Sequence, residues 1–596
     1  MVQYKTYFRK PDAGHSSIIP EPHIVISCVD RGWNDFGRNY RAKLAIEPRD
    51  GRAVFACDLQ VMPIVDGKPV GRLDEWIEAI GTSDPASEYV PAPLNERGKI
   101  QFLSLFAKES DYRDLSRWSI NNEETCQILM AISDVVFARI KSLYQTEVLA
   151  GPLNSEEFRL AMLRSGSAYQ AFHRAGYKLG AAQREHINDA RTDFEFQCTL
   201  KGFESSNHGL NFEFIETPLY EDRIHCLIGV NGTGKTRLLK ELVLTLGRQA
   251  DDSGLDVFID NFHSEASSDA WCSAPGYNRV LAFSAESRRN FPSDTRGDSK
   301  FEYRHFTLVQ SEGNAEPLSS RLNTTPWNGG SMARMLVSML RDPETLSGIT
   351  DSTRRFDLLS TSLRGHMNLE TISIPMIEGA TTSSHYVWAD ETGNNWIRLP
   401  HLNYAGGEQR GLELTSMVDE GRELAFFGDK GEKIHPSSGQ LAFFRFALHF
   451  LSYADVGTLV IVDEPETHLH PNLVCDFMSL LHNVLSLTKS IALIATHSPY
   501  IVREVPTHCV HVLTRGEEGQ VQTGGVYLKT LGASVSSISH AVFGDATVQK
   551  YHQTIAKQLA STNQTLEELI ESYKEILSPE ILIQIRKELD SKERQQ

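Results

Sequence analysis

One eight-residue segment constrains this chain more than any other. Gly229–Thr236 reads GVNGTGKT, entered from the apolar run IHCLIGV and followed by LLKELVL. It is a full match to GxxxxGK[ST], with a strand-like segment before it and a helix-like one after. Glycines there let backbone N–H groups curl around phosphates, and the next helix points its positive end at them. Asn231, Gly232, Thr233 and Gly234 are therefore read as a phosphate cradle. Lys235 is expected to reach the β- and γ-phosphates and Thr236 to give its hydroxyl to Mg²⁺, so ATP and Mg²⁺ are the expected ligands.

Three more short apolar runs follow, NRVLAFSAE, GTLVIVDE and SIALIATHS, bounded by turns and helices. Runs of this kind alternating with helices predict a parallel α/β sheet covered on both faces. Leu459–Glu464, LVIVDE, ends in two carboxylates. Asp463 is expected to hold Mg²⁺ at the carboxyl end of its strand, and Glu464 to position or activate the attacking water. Pro436–Gln440, PSSGQ, precedes the helical run LAFFRFALHFL, and Ala495–Pro499, ATHSP, closes a later strand.

The P-loop, PSSGQ, the DE strand and ATHSP, in that order, resemble the ATP-binding-cassette (ABC) ATPases of the SMC-like and RecF-like branch. The resemblance implies an α/β P-loop NTPase fold of ABC type. It also implies that Ser438 and Gly439 face the γ-phosphate held by a partner subunit, and that His497 is the switch histidine near that phosphate. Glu466–His470, ETHLH, takes the D-loop position, with His470 where many members carry Asp. No Q-loop glutamine is evident after LAFSAE. With one P-loop per chain, a composite ATP site implies a homodimer or a higher even oligomer.

Three regions are expected: a mixed α+β domain of unknown role over 1–191, the ATPase domain over 192–530 and a helical tail over 531–596. Within the first, HIVISCVD and RAKLAIEPRDGRAVFACDLQVMPIV read as strands with a hairpin-like turn. Asn121–Tyr144 reads as one amphipathic helix, and a second helical run covers about Ser155–Leu179. FEFQCTLKGF and LNFEFIET read as paired strands. Between Lys235 and Ser438 lies a long stretch without heptads; about 288–399 of it is polar and is read as an inserted helical arm or lid, with a helix at SMARMLVSMLRD.

Composition narrows the function. Lys plus Arg number 59 against 77 Asp plus Glu, a net charge of −18, which argues against a protein that coats nucleic acid indiscriminately. A local phosphate-binding strip from Arg288, Arg289, Arg296, Lys300 and Arg304 would still permit a nucleic-acid contact. The eight cysteines lie singly, with no CxxC pair, against a zinc ribbon or disulfide framework. No apolar run approaches the roughly 20 residues of a membrane span, and the first residues lack a signal-peptide core, so a cytoplasmic protein is expected. DEPETHLHP and ATHSPYIVRE resemble ATPases of bacterial antiphage defence, of the OLD and Septu types. On that resemblance the chain is a regulatory ATPase serving a separate nuclease or other effector, of HNH type in the Septu case. No DxD follows His497, so a TOPRIM domain is not expected. Two other readings stay open: a RecF-like DNA repair ATPase, and a self-contained nuclease within residues 1–190, where neither RxxxxH nor a carboxylate-ExK cluster is found.

Overall fold

The computed structural model describes every residue except 1–3, 12–18, 20–21, 30–36, 49, 82–86, 178–186, 201–207, 218–219, 231, 252–268, 286–290, 293, 295–301, 310–330, 343–353, 379, 381–384, 405–407, 421, 516–520, 544–550, 563–564, 574–575 and 594–596. Its organising element follows from the apolar runs. Ile224–Gly229, Arg279–Ser284, Thr458–Asp463 and Ile491–Thr496 are strands buried at every position. They belong to a seven-stranded sheet in the order Tyr303–Thr307, Arg279–Ser284, Thr458–Asp463, Ile491–Thr496, Ile224–Gly229, Val510–Arg515, Val521–Gly524. All neighbours are parallel except the last pair.

Strand side chains alternate between faces, and each face has its own core. Leu459, Ile461, Ile491, Leu493 and Leu227 pack with Leu238, Leu239 and Leu242 of the helix Lys235–Asp251. The small sheet of Phe194–Cys198, His208–Phe212 and Trp271–Cys272 joins that side. Val460, Val462, Ala492, Ile494 and Ile228 pack on the other side with the helices Ser438–Tyr453 and Pro471–Leu487. Each such fully buried aliphatic contributes about 1.5–3 kcal/mol, so a polar substitution at any of them is costly. This is the α/β arrangement of a P-loop NTPase. FEFQC and HGLNF pair antiparallel, as expected for the strands that precede the P-loop.

Residues 1–191 build a second seven-stranded sheet, with Lys5–Arg9 parallel to His23–Cys28 and the remaining pairs antiparallel. Its core is continuous with that of the central sheet, from Phe8 and Ile26 to Phe443 and Ile494. Polar ties cross the same boundary: Arg159 Nη1 donates to Ser416 O at 3.1 Å, and Arg341 Nη2 to Arg164 O at 2.9 Å. The helix expected over Asn121–Tyr144 is two, Asn122–Ala131 and Val135–Ile140. Asp134 divides them: its Oδ1 accepts from Phe137 N at 2.8 Å and caps the second helix, after Ser133 at φ 57°. The helical run expected from Ser155 holds a π-helix at Phe158–Met162 and an α-helix at Gly166–Arg174.

The described parts of residues 288–399 pack against the rest of the chain rather than extending from it. Tyr303–Thr307 is a parallel edge strand of the central sheet. Helices Met332–Leu340 and Arg355–Leu363 pack on Ser438–Tyr453. Ile372–Met376 pairs with Asn395–Arg398 and with Ala425–Phe426. The helix expected at SMARMLVSMLRD is Met332–Leu340, with Met332, Ala333, Met335, Leu336, Val337 and Met339 buried. Beyond residue 531 are the helices Val535–Phe543, Tyr551–Ala560, Leu566–Tyr573 and Pro579–Glu593. Among the described residues no helix is long and apolar enough to cross a membrane.

Candidate functional site

The site lies where three neighbouring parallel strands end. Ile224–Gly229 runs into the P-loop, Ile491–Thr496 beside it runs into His497, and Thr458–Asp463 next again runs into Glu464. Strand order thus places His497 between the loop and the two carboxylates. Gly229 admits no side chain, because a Cβ there would stand 2.5 Å from Leu513 O. Gly232 and Gly234 sit at φ 83° and 90°, where glycine carries no steric penalty. Thr233 Oγ1 donates to Val230 O at 2.9 Å and ties the loop to its own start. Asn231 lies outside the described residues.

Lys235 opens the following helix, and its buried Nζ donates to Gly229 O at 3.1 Å. The same Nζ is 2.7 Å from His497 Nε2, which in turn is 3.1 Å from Glu464 Oε1. One ring nitrogen cannot accept from an ammonium and donate to a carboxylate at once, so His497 serves Lys235 or Glu464 in alternation. Glu464 adopts φ 48°, ψ 54°, a left-handed conformation costing a non-glycine residue about 1–3 kcal/mol. It is followed at once by Pro465 and a 3₁₀ turn, Pro465–Thr467.

Thr236 Oγ1 lies 2.9 Å from both oxygens of Asp463. Burial pushes the Asp463 carboxyl up to about 6, with Glu464 adding to the effect and the Thr236 hydrogen bond and Lys235 opposing it. Burial also lowers Lys235 against the pull of Glu464, Asp463 and Glu466. A hydroxyl beside a buried, electrostatically unfavoured carboxylate is an apt pair for a divalent cation, which would relieve the charge that burial penalises. The residues present therefore fit Mg²⁺.

Glu466 is the residue that sequence reasoning missed, having taken it only as part of the D-loop segment. Its Oε1 accepts from Thr496 Oγ1 at 2.8 Å and from the backbone N–H of His497. Its Oε2 is buried without a hydrogen-bond partner among the described residues. Burial raises this carboxyl too. The available signal was a carboxylate two positions after the DE pair, just past a proline that forces a turn. His470 occupies the N-cap of Pro471–Leu487 and makes no side-chain cap bond, a place where Asp would cap well.

Ser438 and Gly439 stand in the first turn of Ser438–Tyr453, whose N-cap is Ser437 in a capping box with Gln440. Ser438 is exposed; Gly439 is buried against the chain just after the Asp463 strand, where a Cβ would meet His468 O at 2.8 Å. Of the expected basic strip only Arg304 lies among the described residues, and it is not available to a ligand. Arg304 is only 1% exposed, with its guanidinium 4.9 Å from the Tyr453 ring centre, because the edge strand that carries it is covered on that side. Arg288, Arg289, Arg296 and Lys300 lie outside the described residues. At the amino ends of the parallel strands Asp222, His508 and Cys509 converge, but Asp222 Oδ2 already accepts from Ile215 N at 3.2 Å and His508 Nε2 at 2.5 Å.

Residues 413–503 match the family model described as "AAA domain, putative AbiEii toxin, Type IV TA system". That span holds Ser438, Asp463, Glu464, Glu466 and His497 but not the P-loop. The chain is 29% identical over 176 residues to protein ea59 of Escherichia phage lambda, covering 29% of this chain and 33% of that protein. It thus matches about a third of the length of that curated relative. Among solved structures it is similar to UvrA2 from Deinococcus radiodurans, at 12% identity and TM-score 0.27, covering 62% of this chain and 42% of that one. It is also similar to an Smc head bound to the C-terminal winged-helix domain of ScpA, at 14% identity and TM-score 0.27, covering 58% and 98%.

Proposed function

We propose that this chain is a Mg²⁺-dependent ATPase that acts in pairs and whose nucleotide state governs a separate effector, a nuclease or toxin, in a bacterial defence system. The observation that carries the ATPase reading is the convergence of Lys235, Thr236, Asp463, Glu464 and His497 at the carboxyl ends of three neighbouring strands from three separate stretches of sequence. In this reading the loop amides and Lys235 bind and orient the phosphates. Thr236 and Asp463 hold Mg²⁺, which when bound neutralises phosphate charge. Glu464 holds the attacking water and takes its proton, and His497, within reach of both Lys235 and Glu464, contacts the γ-phosphate. Ser438 and Gly439, at an exposed helix start, complete the partner's site. The regulatory role is supported by the toxin-system description of the matching family model, by the resemblance to defence ATPases, and by a net charge of −18, which disfavours a DNA-coating repair role. The burial of Arg304 weakens the repair reading further.

The test pairs biochemistry with phage challenge. Lys235→Ala should abolish ATP binding in the purified chain, and unchanged nucleotide affinity would sink the P-loop assignment. Cells carrying the gene with its genomic neighbour should resist phage and lose resistance in the Lys235→Ala variant. Protection and nucleic-acid cleavage by the purified chain alone would instead favour a nuclease within this chain.

A further inference from the structure

The geometry points to Glu466 as the positioning residue that fixes His497 between Lys235 and Glu464, an assignment that rests on the ATPase reading above. A histidine that must exchange partners across less than 6 Å needs a backbone that does not move with it. Here the backbone N–H of His497 and the hydroxyl of Thr496 both donate to one oxygen, Glu466 Oε1. Thr496 Oγ1 in turn accepts from Ser498 N at 2.9 Å, so three consecutive residues at the end of the strand are tied to one carboxylate, Ser498 through Thr496. Nothing else in the turn Pro465–Thr467 requires an acid. A carboxylate here is disfavoured by burial, by one oxygen unpartnered among the described residues and by the nearby Asp463 carboxylate, with the Lys235 charge opposing these. A costly buried group with its bonds spent on the His497 backbone is explained by the placement of that side chain.

The same bonds join two moving parts. Glu464 and Glu466 flank Pro465 in one tight turn, so the residue that holds water and the residue that holds the histidine shift together. Beneath that turn the chain meets Gly439, whose absent Cβ allows the approach to His468 O. A displacement of the helix Ser438–Tyr453 is therefore felt at the turn, and through Glu466 at His497.

Two measurements on the full chain test the assignment. Hydrogen exchange of the peptide spanning residues 491–498, without nucleotide, should quicken in Glu466→Ala by about tenfold or more and stay near wild type in Glu466→Gln, whose amide oxygen can accept both bonds. In steady-state hydrolysis Glu466→Ala should lower kcat by about 10- to 100-fold while the affinity for a fluorescent ATP analogue changes little. Glu466→Gln should stay within about threefold of wild type. Combined with His497→Ala, the Glu466→Ala change should add nothing, because both act through one imidazole. Additive losses, or exchange at residues 491–498 unaffected by Glu466→Ala, would overturn the assignment while leaving the ATPase reading intact. Absence of Mg²⁺-dependent hydrolysis in wild type would overturn both, and binding without turnover distinguishes that case.

Discussion

Asp463→Asn should stabilise the protein in the absence of metal while destroying the proposed Mg²⁺ site. The buried Asp463 carboxyl is carried from 3.8 to about 6, chiefly by desolvation. A group whose folded value is raised binds its proton more tightly in the native state. Its contribution to stability is therefore complete below about pH 3.8 and is lost as the pH rises through about 6. Over that interval the loss is about 3 kcal/mol, so an ionised Asp463 at pH 8 costs the metal-free fold about that much. Asparagine carries no charge at any pH, and its oxygen can still accept from Thr236 Oγ1, 2.9 Å from the wild-type carboxylate. Thermal unfolding in EDTA should give the variant a Tm a few degrees above wild type at pH 8. At pH 5 only about half the cost has accrued, so the gain should fall to about half. Adding Mg²⁺ with ATP should raise the wild-type Tm and leave the variant unmoved. A variant no more stable than wild type at pH 8, or a gain that does not shrink at pH 5, would refute the burial argument.

Glu464→Gln should keep nucleotide binding and lower hydrolysis by about 100-fold or more, trapping the ATP state; wild-type turnover would remove Glu464 from the water-activating role. Ser438→Arg places a bulky cation at the exposed start of its helix and should inactivate the chain. Mixed with Lys235→Ala protein it should recover part of the activity, since each two-fold pair then keeps one intact composite site, and no recovery despite proven subunit exchange would count against sharing. Gly439→Ala sets a Cβ 2.8 Å from His468 O and should cost about 1–3 kcal/mol of stability, read as a lower Tm, together with slower hydrolysis.

Much of the central region was legible because its physics is local. A glycine loop between an apolar strand and a helix, and an apolar strand ending in Asp-Glu, are specified by residues adjacent in sequence. Those rules singled out Gly232, Gly234, Lys235, Thr236, Asp463 and Glu464 as candidates, and the doubly covered parallel sheet, without any tertiary knowledge. Local rules failed where a side chain competes with regular structure. Asp134 accepts the Phe137 amide and splits a helix whose apolar spacing looked continuous. They failed again within 288–399: the helix Met332–Leu340 was expected, whereas the strands Tyr303–Thr307 and Ile372–Met376 are defined only by the distant strands they pair with.

What only the tertiary structure decided is which polar groups meet. Sequence lists Lys235, Glu464, Glu466 and His497 as separate residues; strand order sets the His497 strand between the other two and puts one imidazole nitrogen within reach of an ammonium and a carboxylate. Arg304 looked like part of a solvated basic strip and is buried against Tyr453, because the strand that carries it pairs with Arg279–Ser284. Charge in a sequence has no position, and whether it binds a ligand, braces a neighbour or disappears into a core depends on the dielectric and the partners that long-range pairing supplies.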